Sequence, residues 1–280
     1  MKILAIDLGK FKSVACLFDT DTNQAEYETI TMQRLALEDL LNRHQPQQVV
    51  IETCTNSHWV HDICQAQGYE VLVANPNAEA WQWRNVKRKT DKDDALKLAK
   101  LAALGQISPV YVPTPETRQY RRLVKYRKTL VERMNQIRNR MRALLMAQGL
   151  TMPARSKAWT LEGMAELNNH RKPLVECKID ELWQGELDVE LTLLDRLEEQ
   201  HDQVEKQLNQ LAKQDERVQL LMTIPGVGRR TAEVIVTALD NPERFTNARQ
   251  VSAYAGLVPQ RQSGQTPQLH SRITVKVSGG

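Results

Sequence analysis

The sequence predicts an α/β domain followed by a mainly helical remainder. Short apolar runs separated by turn residues fill the first 75 positions, and two long segments further on repeat apolar residues at steps of three and four. Aromatic residues make up only 5% of a chain that is 41% hydrophobic, which disfavours an all-β sandwich. At 280 residues, 26% of them charged, the chain can bury a core and is longer than one compact domain commonly is.

Taken in order, residues 2–9, 13–18 and 24–32 read as three successive strands, with Gly9 and residues 21–23 supplying the turns. Leu35, Leu37, Leu40 and Leu41 suggest a helix, followed by a strand over 47–53, a helix over 57–67 and a strand over 70–74. Three antiparallel strands followed by alternating helix and strand is the order of a ribonuclease-H-like fold. A basic loop, Lys87, Arg88 and Lys89, leads to a helix with clear punctuation: Thr90 as N-cap, Asp93 as capping-box acid and Gly105 at its end. Pro109, Pro113 and Pro115 then stiffen the connection and mark a domain edge.

Beyond that edge, Tyr120, Leu123, Arg127, Leu130, Met134, Ile137, Met141 and Leu144 form the seam of a coiled-coil helix, interrupted once by an arginine. A second seam runs through Leu187, Leu191, Leu194, Leu197, His201, Val204, Leu208 and Leu211, and the two helices are expected to pair. Their charges are opposite. Residues 118–142 hold ten Arg or Lys and one acid, and residues 186–216 hold ten acids and three bases. Mutual salt bridging between the paired helices is one explanation; the alternative is a stripe of bases facing nucleic-acid phosphates.

Net charge is only +4, so composition by itself names no partner. Cys16, Cys54, Cys64 and Cys177 follow no secreted disulfide spacing, which points to reduced thiols in the cytoplasm, and no apolar run is long enough for a bilayer. Cys54, His58, His61 and Cys64 lie within eleven residues, but one short segment could not easily enclose a tetrahedral zinc, so ordinary helix residues are the better reading.

The chemistry concentrates in acids. Asp7 ends the first strand and Glu52 the fourth, and in a ribonuclease-H-like sheet these strands are neighbours. Asp91 and Asp94 share a helix face that continues through Leu98 and Ala102 toward the core. Acids on a core-facing stripe are costly unless something positive is held there. The four carboxylates therefore suggest a cage for two divalent cations about 4 Å apart, as in phosphodiester chemistry. The rival for this stretch is an actin-like ATPase, whose opening phosphate loop AIDLGKFKS resembles; the second phosphate loop and glycine-rich adenosine pocket are missing.

Near the end, Ile224, Pro225, Gly226, Val227, Gly228, Arg229, Arg230 and Thr231 read as a helix-hairpin-helix turn, with glycines that let backbone N–H groups approach a DNA phosphate; a simple tight turn is the alternative. In the stretch SAYAGLVPQRQSGQT, Ser263 precedes glycine and has no base beside it, so on its own it reads as a turn residue.

AIDLGK, VVIETC, RKTDKDDALKLA, LMTIPGVGRRTA and YAGLVPQRQSG together resemble the transposases of the insertion-sequence one-ten family, especially its eleven-eleven subgroup, and are similar also to the Piv DNA invertases. The resemblance implies a RuvC-like catalytic domain over residues 1–112, a coiled-coil region over 113–216 and a C-terminal transposase domain over 217–280. It implies that Asp7, Glu52, Asp91 and Asp94 bind Mg²⁺ and that Ser263 is the nucleophile for DNA cutting and rejoining. It further implies a bridge RNA that selects the DNA, a homo-oligomer (dimer or tetramer) and a bacterial, nucleoid-associated setting. Lys87, Arg88, Lys89, Gly226, Gly228, Arg229 and Arg230 are the expected nucleic-acid contacts. The final HSRITVKVSGG departs from the family pattern, so a shortened C-terminal domain is expected. Two other readings stay open: a RuvC-like nuclease using water, and a non-catalytic nucleic-acid-binding regulator.

Overall fold

The computed structural model describes residues 1–75, 90–153 and 155–255. The described residues divide into two compact units, one within 1–115 together with 247–255 and the other within 116–246.

The first unit is built on a five-stranded sheet: β1 (Lys2–Asp7), β2 (Lys12–Asp19), β3 (Gln24–Thr31), β4 (Gln48–Glu52) and β5 (Glu70–Ala74). The strand order is β3-β2-β1-β4-β5. Strands β1 to β3 pair antiparallel, whereas β4 pairs parallel with both β1 and β5. This is the ribonuclease-H-like order expected from the sequence, and each strand lies within two residues of its predicted bounds. Helices α1 (Arg34–His44) and α2 (Ser57–Ala66) supply the parallel crossovers. They cover one face, where Leu4, Ile6, Val49 and Ile51 pack on Leu37, Leu40, Leu41, Val60 and Ile63. Helix α3 (Asp91–Ala103) covers the other, where Ile3, Ala5, Cys16, Phe18 and Val50 pack on Ala95, Leu98 and Ala99. An extended stretch after α3 lies against β5, with Val110 N–H donating to the Val73 carbonyl at 2.8 Å. A short helix, α9 (Ala248–Tyr254), ends the described chain.

The second unit is helical. Two helices of 33 residues, α4 (Pro115–Ala147) and α6 (Leu182–Gln214), share one apolar core, joined by α5 (Leu161–Asn169) and two short 3₁₀ turns. The buried seam of α4 runs Val124, Arg127, Leu130, Met134, Ile137, Met141 and Leu145. At its ends the phase differs from expectation: Val124 and Leu145 are buried, whereas Leu123 and Leu144 are only partly so. On α6 the final position passes likewise from Leu211 to Ala212. A smaller core of Ala212, Val218, Ala232 and Val236 holds α7 (Glu216–Met222) and α8 (Arg229–Leu239) to the end of α6. No described helix is long and apolar enough to cross a membrane.

Candidate active site

The sheet brings two of the predicted acids side by side. The parallel register of β1 and β4 runs Ile3 on Gln48 to Ile6 on Ile51, and both strands end one residue later, at Asp7 and Glu52. Alternation along a strand fixes the face. Asp7 follows Ile3 and Ala5, and Glu52 follows Val50, on the side packed against α3. Both are half-buried.

Helix α3 brings the other two acids to that same side of the sheet. Its start is fixed by the predicted capping box: Thr90 Oγ1 accepts from Asp93 N–H at 3.3 Å, and Thr90 N–H donates to Asp93 Oδ2 at 3.1 Å. Asp93 is thereby committed to the cap. Asp91 and Asp94 precede Ala95 and Leu98, which face the sheet; Asp94 is half-buried and Asp91 exposed. From its exposed first turn the Lys92 ammonium reaches to 5.5 Å from the ring centroid of Tyr27 on β3. Among the described residues, no three His, Cys, Asp or Glu side chains stand close enough to hold a metal ion. The carboxylates suit a hard divalent cation in chemistry and in sheet face.

The β1–β2 turn is tied to the loop after β4. Asn56 Nδ2 donates to the Gly9 carbonyl at 2.9 Å, while its Oδ1 accepts from Trp59 Nε1 at 3.2 Å. A Cβ at Gly9 would lie 2.1 Å from the Lys12 carbonyl oxygen, so the turn admits only glycine there.

In the second unit, α7, a turn and α8 form a helical hairpin. Gly226 has φ +85°, and Gly228 is the N-cap of α8 without a side-chain cap. The two arginines that follow differ. Arg229 is drawn inward to Glu205 and to Glu233, the latter at 3.0 Å, whereas Arg230 pairs with Glu205 at 2.7 Å but keeps 63% of its side chain exposed. Glu205 and Glu233 also meet Arg127, at 3.7 Å and 2.6 Å.

A transposase family model matches residues 4–148, and a second model, of the IS116/IS110/IS902 transposase family, matches residues 218–278. The chain belongs to the IS110 transposase family. Among curated relatives, this IS110-family chain is 29% identical over 77% of its length to the transposase for insertion sequence element IS1111A of Coxiella burnetii. It is 25% identical over 93% of its length to the IS1328 transposase of Yersinia enterocolitica, and 24% identical over 80% to the pilin gene-inverting protein of Moraxella bovis. The matches span 57%, 75% and 58% of those relatives. Among solved structures it is similar to RuvC of Thermus thermophilus, with a TM-score of 0.29 at 15% identity, over 39% of this chain and 100% of that one.

The remaining expected site residues of this IS110-family chain, the contacts Lys87, Arg88 and Lys89 and the nucleophile Ser263, lie outside the described residues. Sequence reasoning passed over three groups that the fold makes prominent: Asn56, which links the two acid-bearing strand ends; Phe11, exposed at the β1–β2 turn; and the pair Glu205 and Glu233. Only the last had a legible signal, the i,i+4 spacing of Arg229 and Glu233.

Proposed function

We propose that the chain is a DNA recombinase of the transposase type, joining a metal-supported carboxylate edge to a serine nucleophile. The observation that carries this is the placement of Asp7, Glu52, Asp91 and Asp94 on one side of a ribonuclease-H-like sheet in a chain of the IS110 family. These four residues would hold Mg²⁺. When bound, the ions would neutralise charge building on the attacked phosphate.

The covalent step belongs to Ser263. Its hydroxyl oxygen bonds to phosphorus as the bond from phosphorus to a DNA sugar oxygen breaks; the serine proton passes to solvent and the sugar oxygen takes one up. The phosphoserine link retains the energy of the broken bond, so the reverse attack by a sugar hydroxyl rejoins DNA without ATP. The hairpin of Gly226, Gly228 and Arg230, together with Lys87, Arg88 and Lys89, would hold phosphates, as a helix-hairpin-helix does. On this reading α4 and α6 form the coiled coil of a homo-oligomer, and a bridge RNA directs the protein to its DNA. Arg122, Lys125 and Arg133, exposed along α4, suit a polyanionic backbone.

The test is a denaturing gel of the chain, supplied with RNA transcribed from the non-coding DNA flanking its gene, incubated with supercoiled plasmid and Mg²⁺. A protein-linked DNA band is expected, lost on adding a chelator and lost in Ser263→Ala. Cleavage that persists in Ser263→Ala without any linked band would replace this reading with a water-using nuclease. DNA binding without cleavage would leave a regulator.

A further inference from the structure

The turn that joins β1 to β2 carries a feature that none of this chemistry uses. Phe11 is 74% exposed, although the backbone of its turn is tied by several hydrogen bonds. Its carbonyl accepts from Met32 N–H at 2.9 Å, and two residues earlier Gly9 N–H donates to Ser13 Oγ at 3.1 Å. The Gly9 carbonyl is held by Asn56, and Gly9 itself admits no Cβ. The backbone is thus fixed while the ring is presented to solvent. Single exposed apolar residues are common and need no explanation. This one differs in its surroundings. Lys10 and Lys12 flank it, both exposed, with the Lys10 ammonium 5.1 Å from the ring centroid. It also belongs to the segment linking Asp7 to Val14, and those two residues are cross-strand partners, so the ring projects from the same sheet edge as Asp7 and Glu52.

An aromatic ring on a rigid backbone with a cation to either side matches a nucleobase with its flanking phosphates. Bases offer π-faces to an aromatic ring only where they are unpaired or splayed, and such stacking tolerates any base. We propose that Phe11 stacks on an unpaired base next to the strand being processed, and that Lys10 and Lys12 hold the phosphates on either side of it. The inference rests on the DNA-processing reading above and deepens it: the preferred substrate is DNA with unstacked bases at the carboxylate edge. A protein partner covering Phe11 is the competing occupant. The lysines and the neighbouring acid-bearing strand ends favour nucleic acid.

The experiment compares the affinity of the full chain for a fluorescein-labelled oligothymidylate and for a blunt duplex of the same length, by fluorescence anisotropy over a salt series. Phe11→Ala is expected to weaken oligothymidylate binding about tenfold, with duplex binding and salt slope unchanged. Phe11→Trp should restore it. The double change Lys10→Gln and Lys12→Gln should reduce the salt slope for the oligothymidylate by about 1.4, two cations at roughly 0.7 each. Because Phe11 is exposed, circular dichroism melting of each variant should match the parent chain. Equal affinities for the parent chain and Phe11→Ala on oligothymidylate would overturn the proposal and leave the DNA reading standing. Loss of self-association in Phe11→Ala with DNA binding intact would assign the ring to a protein partner. Failure of the parent chain to bind either oligonucleotide would instead overturn the DNA reading itself.

Discussion

Arg127 occupies a seam of leucines and methionines on α4, yet only 7% of it is exposed. It is tolerated because Glu233, fully buried on α8, and Glu205 on α6 face it, and Arg229 closes the cluster from the other side. Removing one member of a buried pair strands the other charge, which typically costs about 3–5 kcal/mol. Arg127→Ala should therefore lower the urea midpoint by an amount equivalent to about 3 kcal/mol; an unchanged midpoint would mean that Glu233 finds full compensation in Arg229. The same cluster sets a pH dependence. Burial alone would raise the Glu205 carboxyl, but the Arg229 hydrogen bond and the charges of Arg229, Arg127 and Arg230 outweigh it and hold its pKa below the usual range. A carboxylate depressed by folding stabilises the fold above its unfolded value of about 4.3, and that contribution disappears as pH falls through the lower folded value. Urea midpoints should consequently decline below about pH 5, and Glu205→Gln should flatten that decline.

At the scale of elements, what could be read from the sequence and what could not divide along physical lines. Strands β1 to β5 were legible because short apolar runs ended at turn residues, and α3 was legible because Thr90 and Asp93 form a local cap that needs no tertiary partner. The long seams were legible in their middles, where Leu130, Met134, Leu191 and Leu194 are buried as expected. They were not legible at their ends, where neighbouring helices decide which residue turns inward, α7 and α8 at Ala212 and α5 at Leu145. The fate of Arg229 could not be read, because Glu205 lies on another helix, 24 residues away in sequence. The neighbouring strand ends of Asp7 and Glu52 were legible from the strand order, and the shared helix face of Asp91 and Asp94 from their spacing; how Ala95, Leu98 and Ala99 settle against the sheet was not. Two substitutions should separate local from tertiary support. Leu194→Ala, at a fully buried position, should cost about 2–5 kcal/mol in urea unfolding, and Thr90→Ala about 1 kcal/mol. Equal costs would show that the α4–α6 core relaxes into the space left behind.

For the molecule as a whole, the division at residue 115 makes a prediction of its own. Residues 116–246 contain a complete apolar core, from Val124 to Leu208, and the smaller core of α7 and α8. Expressed alone, this segment should give a helical circular dichroism spectrum and a cooperative thermal transition; a featureless melt would show that its helices need the first unit in order to order. Its charge arrangement reaches further than stability. Arg138 and Arg140 on α4 are matched by Glu198 and Glu190 on α6, while Arg122, Lys125 and Arg133 remain exposed on one helix and Asp195 and Asp202 on the other. A body with positive and negative charge on different helices and little net charge feels a weak pull but a strong torque near a polyanion. Approach to a nucleic acid would thus be governed by rotation, the helix pair turning its α4 flank forward before contact, and added salt would erase this alignment sooner than it weakened the final grip.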